Sequence, residues 1–112
     1  MTVYVVAQLR FTDEAAYRRY QAAFAGVFAK FRGTLLAADE RPRVVEGQWD
    51  RHKVVLMAFP DEAAWRDWAE SPEYVAIARD RQAGADTVAL LVRGIDPAFP
   101  RQPARPPAAG NP

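Results

Sequence analysis

Phe11-Thr-Asp-Glu-Ala-Ala-Tyr-Arg-Arg-Tyr20 recurs as Phe59-Pro-Asp-Glu-Ala-Ala-Trp-Arg-Asp-Trp68, and each copy follows an apolar run of β character. Two matched strand-helix units constrain the fold more than any other feature of the chain, because both copies are expected to take the same local course. In each copy the strand, about Val3 to Phe11 and about Lys53 to Phe59, leads to an Asp at a helix start. A short carboxylate there caps backbone N–H groups that have no partner, so Asp13 and Asp61 read as structural caps rather than catalytic acids.

After Asp13 the apolar residues Tyr17, Tyr20, Phe24, Val27, Phe28 and Phe31 recur at helical steps, which predicts a helix with one buried aromatic stripe. Gly33 is expected to end it as a left-handed cap. Thr34 to Ala38 and Arg43 to Gly47 read as two short strands around the polar turn Asp39-Glu40-Arg41-Pro42, a hairpin. The second helix runs from Asp61 to about Glu70. A third begins at once, with Ser71 as cap, Pro72 at the first helical position and Gly84 as stop. Thr87 to Val92 predicts a last strand buried on both faces. The folded domain is expected to span residues 1–95, and residues 96–112, rich in Pro, to form a disordered tail.

The order β-α-β-β-α-α-β, with two related βα halves, is the split βαβ pattern of an α+β, ferredoxin-like fold: an antiparallel sheet with helices on one face. Strand phase follows from the repeat. Val3, Val5, Ala7, Leu9, Phe11, Val55, Met57 and Phe59 are expected to face the helices. Tyr4, Val6, Gln8, Arg10, His52, Val54, Leu56 and Ala58 are left on the bare face. That set is too apolar for water, which predicts a face-to-face homodimer.

Composition removes several function classes. The 112 residues contain no cysteine, which excludes disulfides, thiolate metal sites and a cysteine nucleophile and suits a cytoplasmic protein. Fifteen basic and fourteen acidic residues are interspersed for a net charge of +1, with no basic stripe for nucleic acid or anionic lipid. The N-terminus lacks the pattern of a secretory signal, and no apolar stretch reaches the roughly twenty residues of a membrane span. A single His argues against haem or another metal, so no cofactor is expected.

There is no phosphate loop, paired histidine motif or nucleophile elbow. Two segments remain. Val45-Glu46-Gly47-Gln48-Trp49-Asp50-Arg51-His52 gathers two carboxylates, an indole and the one His at a strand end. Glu46 is the candidate acid-base residue if partly desolvated, and otherwise bonds to backbone or to an Arg. His52 is a candidate proton shuttle, or an incidental surface residue. Trp49 offers a flat wall to a planar ligand, or closes the core's edge. On the third helix Tyr74, Ile77, Ala78 and Arg81 share a face, where Arg81 is placed to meet a carboxylate, either Glu46 or a ligand acid.

Tyr17-x-x-Tyr20, the Gly33 turn, Glu46-Gly47-x-Trp49, Phe59-Pro60, Trp68 and Ser71-Pro72-Glu73-Tyr74 with Arg81 resemble the family called domain of unknown function 1330, from about Thr2 to Gly94. The resemblance implies a dimeric α+β barrel, in which two sheets pack face to face. That superfamily includes cofactor-independent monooxygenases, isomerases, haem binders and dehydratases, so fold alone does not choose among them. It also implies that Glu46, Gly47 and Trp49 match positions typical of the family. His52 and the Pro-rich tail fall outside its pattern.

The leading expectation is a homodimer that binds a small organic molecule, aromatic or carbonyl, with acid-base chemistry by Glu46 and ligand contacts from Trp49, Tyr20 and Arg81. The default location is a pocket between helices and sheet. The alternative is a non-enzymatic dimeric interaction module, with Glu46 and Arg81 as a structural pair.

Overall fold

The computed structural model describes residues 1–95, and the expected Pro-rich tail lies outside the described residues. Strand β1 (Val3–Phe11), helix α1 (Glu14–Phe28), strands β2 (Thr34–Asp39) and β3 (Lys53–Phe59), helices α2 (Glu62–Ala69) and α3 (Pro72–Gly84) and strand β4 (Ala85–Arg93) follow in the expected order. They build one antiparallel sheet, β2-β3-β1-β4, with the two repeat strands paired at its centre. This is a ferredoxin-like α+β fold.

Each helix starts as its cap residue dictates. Asp13 accepts from the Ala16 N–H at 3.3 Å, Asp61 from Ala64 at 2.8 Å and Ser71 from Tyr74 at 3.1 Å. The repeat also sets the sheet's two faces. Val3, Val5 and Leu9 of β1 and Met57 and Phe59 of β3 are buried under the helices. Above them Trp68 gathers Tyr74 at 4.1 Å and Phe28 and Phe59 at 5.5 Å between ring centroids. The α1 aromatics therefore serve as core, each fully buried ring stabilising by about 1.5–3 kcal/mol.

Several local expectations are corrected. Residues 43–47 form no strand. The partner of β2 is β3, in a register that sets Leu35 opposite Met57, with a bulge between Leu35 and Ala37. Beyond Pro42 the chain leaves the sheet, and Gly47, at φ +90°, turns it. Gly33 does not cap α1 in the left-handed conformation. The helix ends at Phe28, with Ala29 as an ordinary right-handed cap. Gly33 is instead a packing glycine, since a Cβ there would stand 2.4 Å from Phe28 Cζ and 2.6 Å from Phe59 Cε2. Gly84 does end α3, but through close approach to α1: its carbonyl accepts the Thr12 and Asp13 N–H groups at 2.9 and 3.1 Å.

Strand β4 is an edge strand and is not buried on both faces within the chain. Leu91 turns inward, while Val88, Leu90 and Val92 are 40%, 51% and 44% exposed, because helices cover only one side of the sheet. His52 also departs from the alternation expected of it. It lies one residue outside the β1–β3 ladder, so pleating does not fix its direction, and its ring stacks on Phe11 at 5.3 Å. No described helix is long and apolar enough to cross a membrane.

Candidate functional site

Between the helices and the sheet lies a cavity of about 360 Å³. Its floor consists of inward-facing rows that run across three strands. Met57 and Val5 are followed by Val55-Ala7-Ala89 and then by Lys53-Leu9-Thr87. The two alanines of the middle row leave space that larger residues would fill. Tyr17, Tyr20 and Phe24 of α1, Trp65 and Trp68 of α2, and Tyr74 and Arg81 of α3 supply walls and roof.

The cavity has one polar corner on the helix side. The Tyr20 and Tyr74 hydroxyls lie 2.9 Å apart, and Arg81 Nε donates to the Tyr74 oxygen at 3.3 Å. The Arg81 guanidinium also sits 5.9 Å from the Tyr20 ring centroid. Burial, followed by the neighbouring Tyr74, pushes the Tyr20 phenol well above its ordinary pKa. Tyr20 therefore remains a neutral hydroxyl across the working pH range.

A second charged group stands at the Lys53 end of the floor. The Lys53 side chain is only 4% exposed, lies 4.9 Å from the Tyr17 ring centroid and reaches Glu40 at 3.5 Å. Glu40 in turn accepts two hydrogen bonds from Arg18, at 2.6 and 2.9 Å. That fork, more than any other contact, holds the Glu40 carboxyl at about 2, below its ordinary 4.5. The same bonds raise the Arg18 guanidinium above its ordinary value, with Glu14 adding to the effect. Lys53 thus meets a carboxylate already committed to a second cation.

The structure places the sequence-derived candidates in three locations. Tyr20 and Arg81 come together at the polar corner of the cavity. Glu46 and Trp49 lie across the sheet from them. Trp49 Nε1 donates to Gln8 at 2.9 Å, on the face turned away from the helices, and a shallow groove there is lined by Val45, Glu46, Trp49 and Val54. His52 closes the end of β1, where its Nδ1 accepts the Phe11 N–H at 2.8 Å. The possible Glu46–Arg81 pair is not formed. Among the described residues no cluster of three His, Asp or Glu side chains is placed to hold a metal ion.

Lys53, Trp68, Tyr74 and Thr87 also belong to the cavity, although none is among the site candidates that the sequence suggests. Strand parity could have found Lys53, which shares its phase with Met57 and Phe59. For Tyr74 the signal was its helical spacing from Arg81. For Trp68 the signal was the repeat, which sets it in the place of Tyr20, and Thr87 carries no such mark; each holds a buried polar atom, Nε1 or Oγ1, that lacks a partner.

Solved structures share this architecture. A protein of unknown function from Rhodopseudomonas palustris is 19% identical, with a TM-score of 0.71 over 86% of this chain and 84% of that one. A dimeric ferredoxin-like protein of unknown function from Jannaschia sp. CCS1 is 21% identical, at 0.66 over 84% and 100%. SnoaB, a cofactor-independent oxygenase from Streptomyces nogalater, is 20% identical, at 0.61 over 88% and 98%. At these identities the likeness establishes the ferredoxin-like fold and not an activity. No curated protein matches the sequence. The model of the family named Domain of unknown function (DUF1330) matches residues 2–95, and the chain belongs to that family.

Proposed function

We propose that this protein is a homodimer that binds a small organic molecule in the cavity between its helices and its sheet. The observation that carries the reading is the composition of that cavity: a mainly apolar lining with six aromatic side chains, the polar corner Tyr20–Tyr74–Arg81, and Lys53, already paired with Glu40, at the other end. Small-molecule sites have this character, with much apolar surface and a few convergent polar groups, in volumes of roughly 300–1,000 Å³. At about 360 Å³ the cavity suits a ligand with one or two rings rather than a large cofactor.

The bare sheet face supports the dimer. Register places Tyr4, Val6, Leu56, Val54, Val88, Leu90 and Val92 side by side on it. An apolar patch that spans most of a four-stranded sheet exceeds what a monomer ordinarily exposes to water. The dimeric ferredoxin-like protein from Jannaschia sp. CCS1, which has the same fold, lends the same support. Acid-base work by Glu46 on this ligand is not part of the proposal, because the Glu46 loop lines the opposite face.

Two measurements test the reading together. Native mass spectrometry of gently purified protein should report a dimer, and a monomer would overturn the assignment of the bare face. Trp65 and Trp68 line the cavity, so a panel of small aromatic compounds should change tryptophan fluorescence. The same panel should leave a folded Ala7→Leu, Ala89→Leu double variant unaffected. An equal response in that variant would place binding elsewhere.

A further inference from the structure

The donors and acceptors around the cavity do not balance. Two phenolic O–H groups meet at the Tyr20–Tyr74 contact, and a single bond between them consumes one. The Tyr74 oxygen also accepts from Arg81 Nε, so whichever hydroxyl donates across the contact, the other O–H is left without an acceptor in that cluster. Arg81 has further N–H groups, and no carboxylate of the described residues lies within ion-pair distance of it. Its chain neighbour Asp80 is taken by Arg19, at 3.3 Å. Trp68, 3% exposed, adds a buried indole N–H with no partner, and the Thr87 hydroxyl, which donates as well as accepts, is bonded to none of these donors. No Asp or Glu lines the cavity.

The Lys53 end does not offset this surplus. There two cations, Lys53 and Arg18, are matched by two carboxylates, Glu40 and Glu14, so that corner is close to neutral. The positive charge left unmatched at the cavity is that of Arg81. A site with spare donors, one unmatched cation and apolar walls is complementary to an anion that has acceptor oxygens at one end and a flat apolar body.

Building on the proposed small-molecule site, we infer that its ligand class is the small aromatic or conjugated carboxylic acid. The carboxylate is bound by Arg81 and the spare Tyr20/Tyr74 hydroxyl. The ring lies over Ala7 and Ala89, beneath Phe24 and Trp68. Arg81 is a binding residue in this assignment, and its orientation is held by the Tyr74 oxygen.

The test pairs each acid with a neutral analogue of the same shape, benzoate with benzamide and phenylacetate with phenylacetamide. Binding is measured on the full chain by ligand-observed NMR and tryptophan fluorescence. The acids should bind roughly tenfold or more tightly than the amides, and Arg81→Gln should remove that preference while leaving amide binding in place. Arg81→Lys should restore part of it, since the charge returns without the fork. Raising salt should weaken acid binding only modestly, because the corner is partly buried. Equal binding of acids and amides, unchanged by Arg81→Gln, would overturn the ligand class and leave the cavity reading intact. Binding of either class that persists in the Ala7→Leu, Ala89→Leu variant, or no binding by any probe, would overturn both.

Discussion

Replacing Gly84 and Gly26 by alanine, one at a time, should move stability in opposite directions, although both residues lie in helices. At Gly84 a Cβ would stand 2.4 Å from the Tyr17 backbone nitrogen and 2.7 Å from the Asp13 carbonyl oxygen. Both obstacles are backbone, so relief requires the end of α3 to move away from the start of α1. Overpacking of this kind costs about 1–3 kcal/mol. The movement also strains the bonds from Thr12 and Asp13 to the Gly84 carbonyl, each contributing about 1 kcal/mol. Alanine's better helix propensity returns at most about 1 kcal/mol. The net loss is about 2–3 kcal/mol, a fall in Tm of roughly 10–20 °C for a domain of this size. At Gly26, inside α1, a Cβ would meet nothing within 4 Å. That substitution should stabilise by about 0.5–1 kcal/mol, a rise of a few degrees. Thermal unfolding followed by far-ultraviolet circular dichroism, at one fixed protein concentration, reads both. If Gly84→Ala melts at or above the parent, the contact between α1 and α3 is not as described, and the wall that carries Tyr20 and Arg81 must be redrawn.

The Glu40 carboxyl titrates at about 2 when folded, against 4.5 ordinarily, so its contribution is complete above about 4.5 and is lost as pH falls towards 2. Its side chain is 36% exposed, so the contribution is on the order of 1 kcal/mol or less, and the fall in Tm between pH 6 and pH 3 should be smaller in Glu40→Gln. A steeper fall in the variant would contradict the pairing. Tyr74→Phe should destabilise more than Tyr20→Phe, by about 1 kcal/mol in urea titrations, because it removes the oxygen that serves both Arg81 and Tyr20. His52→Phe retains a ring against Phe11 but strips the Phe11 N–H of its acceptor, for a loss of about 1 kcal/mol; no loss would mean that bond is not formed in solution. Leu90→Glu, on the bare face, should yield a folded monomer by sedimentation, and an unchanged dimer would put the interface elsewhere.

Much of the architecture was legible because local signals agreed with one another. Asp13, Asp61 and Ser71 announced three helix starts, and the parity of Phe11 and Phe59 sorted the strand residues into two faces. The sequence did not reveal which segments would pair. Residues 43–47 have strand character, yet β2 found a better partner in β3, and nothing local encodes that competition. Tyr20 and Arg81, both marked in the sequence, lie on different helices and still meet at the cavity's polar corner, whereas the Tyr74 that joins them was signalled only by its helical spacing from Arg81. The space between Ala7 and Ala89, the reach of Arg18 to Glu40 and the separation of Glu46 from Tyr20 all depend on how distant segments meet. Grouping Glu46, Trp49, Tyr20 and Arg81 treated as one neighbourhood what the sheet divides into two.

That division has a consequence for how such a chain changes over evolutionary time. Along β1 the odd positions Val5, Ala7 and Leu9 line the cavity, while Tyr4, Val6 and Gln8 look outward. Adjacent codons therefore answer to different selective pressures. A substitution at one position can reshape what the interior admits, and a substitution at the next can alter what lies against the outer wall, with little interference between them. On the proposed function, a lineage built on this sheet could explore new ligands without renegotiating its assembly, and trade partners without emptying its cavity.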